Sequence, residues 1–550
     1  MAFRSATGLV LAMVLLASPR AAAPAQVNEA IRAIVASGEI ATLRWKNFSD
    51  RRNELKQFYD PAMYAPAWFN EGLPDKKAYQ AMDLLADAET EGLDPADYDV
   101  PWLQSRLAAA AKTPMPEAER AEIDTALTLA LFRYLTDLHS GKINPRDLGW
   151  ALEVTPKHNY NVARVLREAI ARDALAAMVA GVEPRLPLYR RLKATLVAYR
   201  RLAQDTSLQS VPAIKTKLVP GQPYEGAAAL ARLLTAIGDL PANVPAPADR
   251  YDGALPGAVK RFQESHGLLA DGVLGKATFA EINVPLAHRV RQIELAMERL
   301  RWLPDLQTGP VIAVNVPSFK LWAFSDPQRP GEANLETNIV VGRAVYTRTP
   351  IFMQDMRYVE FSPYWNVPPS ILRKEIIPKL KRDPDYLARE DFEFVGRDGQ
   401  TSTEVSDGTL AGALAGELRL RQRPGPKNAL GGIKFVLPNS MNIYLHSTPA
   451  HNLFERPRRD FSHGCIRVAD AIGLAQFVLS DQTEWTRTKI EETMAGGQHQ
   501  TVQLSRPIPV IIFYSTVVIE RNGQVLFAPD IYNDDPKLEQ ALATATRARR

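Results

Sequence analysis

The chain has 550 residues, 46% of them hydrophobic and 23% charged, with a formal net charge of +4. One hydrophobic core stops growing near ~250–300 residues, so several domains are expected. The composition excludes a disordered or membrane-embedded chain, and the near-neutral charge leaves no basic footprint for nucleic acid.

Residues 1–25 read as a secretory signal. Arg4 supplies a positive start, Gly8 to Ala17 form an apolar run too short to span a bilayer, and Ala23-Pro24-Ala25 gives an A-x-A cleavage site. The mature chain is then expected to begin at Gln26 outside the cytoplasmic membrane, with an uncleaved membrane anchor as the alternative. Loss of Arg4 and Arg20 would lower the formal charge from +4 to +2. No cysteine near the site could accept a lipid. The basic runs Arg190-Arg191-Leu192-Lys193 and Arg458-Arg459 read as solvated faces.

From about Asn28 to Leu218 apolar residues recur at three- and four-residue spacing, as in Ala121 to Leu131, which predicts an all-α region. Its aromatic stretch from Phe58 to Phe69 reads as packing. Between Tyr224 and Pro285 short helices are divided by the Pro-rich segment Pro241 to Pro247. The last pair is joined by Asp271-Gly272-Val273-Leu274-Gly275-Lys276-Ala277-Thr278, a turn that lacks the oxygen ligands of a calcium loop.

A helix is expected over Val290 to Arg301, after which the texture becomes β, with runs at Val311–Val316, Leu321–Phe324, Glu336–Gly342, Lys434–Leu437, Asn442–Leu445 and Val510–Tyr514. An Asn522-Gly523 turn between Val518-Ile519 and Val525–Phe527 predicts a hairpin. From Pro368 to about Gly432 a charged helical segment and a Gly/Ala-rich stretch interrupt the strands and read as an insertion.

Cys465 is the only cysteine, so no internal disulfide can form. In an exported chain a lone thiol is tolerable when it is buried or chemically required. Its neighbours are Tyr444-Leu445-His446-Ser447 and Ser462-His463-Gly464-Cys465-Ile466-Arg467, and they supply what nucleophilic catalysis needs. His446 ends a strand. Cys465 is expected at the start of a helix-like run from Ala469 to Leu479, whose dipole and free N–H groups would make the thiol acidic and readily alkylated near neutral pH. Gly464 would allow a tight turn on which the amides of His463, Gly464 and Cys465 converge on an oxyanion. The bland alternatives are an inert buried thiol and a structural histidine. A zinc site from His446, His451, His463 and Cys465 fits no common spacing, and neither metal nor any other cofactor is expected.

His446 followed sixteen residues later by Ser462-His463-Gly464-Cys465 resembles the signature of the L,D-transpeptidase family, with a YkuD-like catalytic domain over roughly Pro310 to Tyr532. Ala258 to Gln263 and the Asp271 loop resemble a small three-helix peptidoglycan-binding domain. The order of regions is similar to the large Gram-negative members of the YcbB type. The resemblance implies a multidomain α+β protein: signal peptide 1–25, all-α scaffold 26–220, peptidoglycan-binding-like module 224–285, connecting helix 286–307, mainly β catalytic domain 308–535 with a helical cap at about 369–432, and tail 536–550.

It further implies Cys465 as nucleophile, His446 as base, Ser447 as the residue orienting the imidazole, through its carbonyl, and an oxyanion hole of the His463, Gly464 and Cys465 amides. Tyr444, Arg467 and Trp365 become substrate contacts, with a core role for Trp365 equally open. Many members carry Asn where this chain has Arg467, so the Asn's role is not carried over. The implied reaction is crosslinking of peptidoglycan stem peptides through a cysteine acyl-enzyme, and a strained carbapenem carbonyl is expected to acylate the same thiol. The cap is expected to cover the donor stem and the module to hold the wall polymer weakly. Stem peptides, glycan strands and other cell-wall synthesis proteins are the implied partners. A cysteine L,D-carboxypeptidase or endopeptidase of the same fold, which hydrolyses the acyl-enzyme, is the alternative, and a non-catalytic wall-binding protein the third reading.

Overall fold

The computed structural model describes residues 23–548, except 114, 153–159, 246–248, 305, 307–308, 327–333, 346 and 521–522. Most of the expected signal segment lies outside the described residues, as does Asn522. Helix Ala23–Ser37 begins within the assigned A-x-A stretch, where Pro24 suits a first turn that has no use for its N–H. Among the described residues no helix is long and apolar enough to cross a membrane.

The N-terminal region is helical around Glu117–Ser140, a helix buried along nearly its whole length. Such a helix must satisfy its polar groups internally. Asp124 does so by accepting from the Tyr59 hydroxyl at 2.7 Å and the Trp68 amide at 2.9 Å, while Trp68 Nε1 donates to Thr128. The aromatic stretch is therefore core.

Three helices follow, Ala227–Ala236, Leu255–Ser265 and Lys276–Ile282. Buried Gln263 organises the loop between the last two, donating from Nε2 to Asp271 Oδ1, the Val273 carbonyl and Thr278 Oγ1, each at 3.0 Å. Gly272 takes φ +68° there, a conformation L side chains rarely adopt. Helix Leu286–Arg301 then joins the helical region to the sheet. It is ionic where it is buried: Arg301 pairs with Glu298 at 3.0 Å and Arg299 with Asp535.

The β region contains, in chain order, β1 Val311–Asn315, β2 Lys320–Phe324, β3 Leu335–Gly342, β4 Phe352–Phe361, β5 Trp365–Asn366, β6 Phe392–Val395, β7 Thr401–Ser402, β8 Arg419–Gln422, β9 Ile433–Val436, β10 Leu445–His446, β11 Asp460–Ser462, β12 Ile466–Val468, β13 Gln500–Phe513, β14 Val517–Ile519 and β15 Val525–Phe527. Nine of them form one sheet in the order β11-β3-β12-β10-β9-β4-β13-β1-β2, and β2 also pairs with β3, so the sheet curls back on itself. Its inner face holds Val314, Leu321, Phe361, Phe435, Leu445 and Ile512, all fully buried. β14 and β15 form the expected hairpin.

The insertion contains its helices, Pro369–Ile371 continuing through a π-helical turn Leu372–Ile376 into Ile377–Arg382, and then Asp407–Ala415. It also contains β6 to β8, which with β5 just before it form an antiparallel sheet in the order β7-β6-β8-β5, with a separate apolar core around Leu380, Phe394 and Leu420. Buried Asn428 ties its neck, donating to the carbonyls of Pro363 and Arg423 at 3.0 Å each. Residues read as a C-terminal tail form helix Asp535–Ala548. Leu538, Ala541, Leu542 and Ala545, at helical spacing, pack it onto the sheet core.

Candidate active site

β10 and β12 run parallel, with Leu445 opposite Ile466 and His446 opposite Arg467. This pairing corrects the sequence expectation at Cys465. The thiol does not open a helix: Ile466-Arg467-Val468 is a strand, and the next helix starts at Ala471. The two β-branched residues find a strand on each side, β10 and β3, so tertiary pairing overrides the helical reading. The N-terminus of that helix therefore does not fall at Cys465.

Strand periodicity puts Tyr444 and His446 on one face, and Cys465 and Arg467 on the same face of the neighbouring strand. The Tyr444 and His446 rings meet edge-on, centroids 5.7 Å apart, and Tyr444 borders the Cys465 thiol. The buried His446 imidazole is fixed by Nδ1–H donating to the Ser447 carbonyl at 2.6 Å, which leaves Nε2 as the basic nitrogen. Burial, with the nearby Arg467 charge, pushes this histidine down to about 3. The ring is held in its neutral form.

The Ser447 side chain has separate work. Its hydroxyl donates to the Leu430 carbonyl at 3.1 Å and accepts from the Ile433 N–H at 3.2 Å, stitching the end of the insertion to β10. Gly431 lies directly beneath, at φ +63°, and a Cβ there would stand 2.2 Å from Ser447 Oγ. Only glycine fits.

Cys465 is partly buried, and burial pushes its thiol up, against the lowering pull of Tyr444, Lys434 and Arg467. Its Sγ donates to the Asn442 carbonyl at 3.6 Å, which favours the protonated form. Asn442 adopts φ +56°, and Asn439 Oδ1 caps the turn by accepting the Met441 and Ile443 amides. Burial and the Asn442 carbonyl thus favour the neutral thiol, against the acidic thiol expected from a helix start.

Gly464 takes φ +117°, as a tight turn requires, but its N–H donates to Ser462 Oγ at 3.1 Å. Ser462 Oγ in turn donates to the Cys465 carbonyl at 2.6 Å, and Thr349 Oγ1 to the Gly464 carbonyl at 2.8 Å. The loop is thus braced from both sides. His463 turns its ring outward, with Nε2 2.5 Å from Glu375 Oε1 in the π-helical turn of the insertion. Trp365 is half-buried between two roles, tilted 6.1 Å from Phe392 of the insertion core and bordering the Tyr444 hydroxyl. Arg467 is half-buried near Arg343, and its Nε has no hydrogen-bond partner among the described residues. His451 is exposed and begins a short 3-10 helix.

Sequence reasoning missed Asn442, Lys434 and Glu375. Lys434 sits 4.8 Å over the Tyr444 ring and pairs with Glu360 at 3.0 Å; its place on β9 opposite His446 was the available signal.

Comparison with known proteins gives three domain matches. A family described as "L,D-transpeptidase catalytic domain" matches residues 309–512, one described as "Putative peptidoglycan binding domain" matches 224–282, and one described as "Scaffold domain" matches 53–196. A curated relative from Haemophilus influenzae (strain ATCC 51907 / DSM 11121 / KW20 / Rd), named "Putative L,D-transpeptidase", is 33% identical over 251 residues, 46% of this chain and 49% of the relative. The chain thus aligns with about half the length of that relative.

Proposed function

We propose that this chain, which contains an L,D-transpeptidase catalytic domain and a peptidoglycan-binding domain, crosslinks peptidoglycan stem peptides through an acyl-enzyme on Cys465. The observation that carries the reading is the shared face of β10 and β12, where Tyr444, His446, Cys465 and Arg467 come together and His446 is held in one tautomer by the Ser447 carbonyl.

The donor stem docks with the carbonyl of its third residue against Cys465. Because thiol and imidazole are both neutral at rest, proton transfer to His446 Nε2 accompanies attack of sulfur on the carbonyl carbon. The negative oxygen that forms is held by loop amides. With Gly464 N–H given to Ser462, this role falls to the His463 and Cys465 amides. Collapse breaks the bond to the terminal D-residue, which leaves as an amine after taking the proton from His446. An amine on a second stem then attacks the thioester, loses its proton to His446, and regenerates the thiol. Arg467, with an unused Nε, and Arg343 beside it form a cationic wall suited to a stem carboxylate. The insertion, through Glu375 on His463, and Trp365 just before it, against Tyr444, close the groove.

Domains of these kinds act on the cell wall, which supports an extracytoplasmic location; export by residues 1–25 into the periplasm belongs to the proposal. The test is mass spectrometry of muropeptides incubated with the protein. Crosslinked dimers should form from tetrapeptide stems and vanish with Cys465→Ala. Tripeptide released without dimers, in excess acceptor amine, would replace transpeptidation by hydrolysis.

A further inference from the structure

A row of opposed residues crosses the catalytic sheet through the site. The strand registers set Glu360 of β4 opposite Lys434 of β9, Lys434 opposite His446 of β10, and His446 opposite Arg467 of β12. Directly opposed residues share a face, with Cβ atoms about 4.5–5.5 Å apart, so the row reads carboxylate, ammonium, imidazole, guanidinium. The other face of β9 is core, where Ile433 and Phe435 are fully buried. Lys434 is held from two sides. Its Nζ lies 3.0 Å from Glu360 Oε2 and 4.8 Å over the Tyr444 ring, and its side chain is only 18% exposed. The ammonium therefore leans out of its own place in the row toward Tyr444, the residue that borders the Cys465 thiol.

Attack on a carbonyl requires the sulfur to become anionic, while burial and the Asn442 carbonyl favour the neutral thiol. A fixed cation on the same face offsets that, and it needs no rearrangement when the charge develops. The charged and titratable groups around the sulfur are Tyr444 and His446 from β10, Lys434 from β9, and Arg467 from its own strand with Arg343 beside it; Glu360 and Tyr358 of β4 stand behind Lys434. Lys434 has a carboxylate bound directly to it, so its pull on the sulfur is one that a neighbour weakens. The same ammonium acts on the imidazole in the other sense. Lys434 and Arg467 flank His446 and disfavour its protonated form, so a proton taken from the thiol is readily passed on to the leaving amine.

We propose that Lys434 is a positioning residue of the Cys465 site: pinned by Glu360 and guided by the Tyr444 ring, its ammonium supplies the fixed positive charge against which the sulfur becomes anionic, and Glu360 sets the strength of that charge. The role rests on the cysteine acyl-enzyme reading. A pair that merely joined β4 to β9 would behave differently, because removing either member would cost the same contact. If the pair tunes the sulfur, its two members act with opposite sign.

The test is the pH profile of Cys465 alkylation by iodoacetamide, followed by intact mass, in the full-length wild type, Lys434→Met, Lys434→Arg and Glu360→Gln. Loss of the ammonium should raise the midpoint by about 0.5–1 unit, the size of one charge acting through the width of a phenol ring. Lys434→Arg keeps the charge and should fall closer to wild type than to Lys434→Met. Glu360→Gln removes the opposing charge and should lower the midpoint. Midpoints that stay in place, or that move the same way in Lys434→Met and Glu360→Gln, would overturn the proposal. If Lys434→Met does not fold, Glu360→Gln decides, and a midpoint at or above that of wild type overturns it. Crosslinking of tetrapeptide stems is assayed on the same wild-type preparation: crosslinking with unmoved midpoints sinks the role of Lys434 alone, and midpoints that move with opposite sign without crosslinking sink the transpeptidase reading alone.

Discussion

Ser447→Ala separates the two jobs that the structure gives one residue. The backbone carbonyl that holds His446 Nδ1 survives the change, while the hydroxyl that bonds the Leu430 carbonyl and the Ile433 N–H is lost. Two buried hydrogen bonds contribute about 1–3 kcal/mol together. In a catalytic unit of this size 1 kcal/mol moves the melting temperature by about 2–4 °C, so a fall of about 2–12 °C is expected. Acylation should stay within about tenfold of wild type, because the base and its tautomer are intact, whereas His446→Ala should lose about 10²–10⁴-fold. The assay pairs thermal unfolding with single-turnover acylation of Cys465 by a carbapenem, followed by intact mass. A Ser447→Ala protein that melts like wild type but acylates as slowly as His446→Ala would refute the division, and would make the hydroxyl part of the chemistry.

The Cys465 thiol, raised by burial, should alkylate slowly with iodoacetamide at pH 7 and faster as pH rises past 9, with no plateau near neutrality; a rate already maximal at pH 7 would restore the acidic thiol. His446, held at about 3 in the folded state against its usual 6.5, binds a proton more readily unfolded, so its contribution to stability is complete above pH 6.5 and is lost as pH falls toward 3, by up to about 5 kcal/mol. Denaturant titrations should accordingly show His446→Gln losing less stability over that interval than wild type. Glu375→Gln removes the charge on an exposed contact worth up to about 1 kcal/mol, so KM for stem peptides should rise by no more than about fivefold, with melting unchanged; steady-state kinetics on stem peptides measures this, and an unchanged KM would make the contact idle.

Local signals carried much of this protein. Period-3.6 patterning exposed the helical region, β-branched runs marked the principal strands, and the spacing of His446 to Ser462-His463-Gly464-Cys465 marked the candidate site. What failed depended on partners far along the chain. Ile466 to Val468 forms a strand because β10 and β3 lie on either side, so the helix expected from Ala469 starts later and its N-terminus does not fall at the thiol. The part of the thiol's expected acidity that rested on that helix fell with it. In the insertion, Phe392–Val395 and Arg419–Gln422 alternate as strands do, yet each is only four residues long and set among loops and short helices. Glu375 meets His463 across 88 residues, a distance over which no periodicity speaks.

The central claim is a covalent one, and intact mass of the protein quenched during turnover tests it most directly. With tetrapeptide stems and no acceptor, Cys465 should carry the tripeptide acyl group, having released the terminal D-residue; added amine should discharge the adduct into a dimer. A protein that forms dimers with Cys465→Ala, or that carries an acyl group only when given pentapeptide stems, would contradict the account.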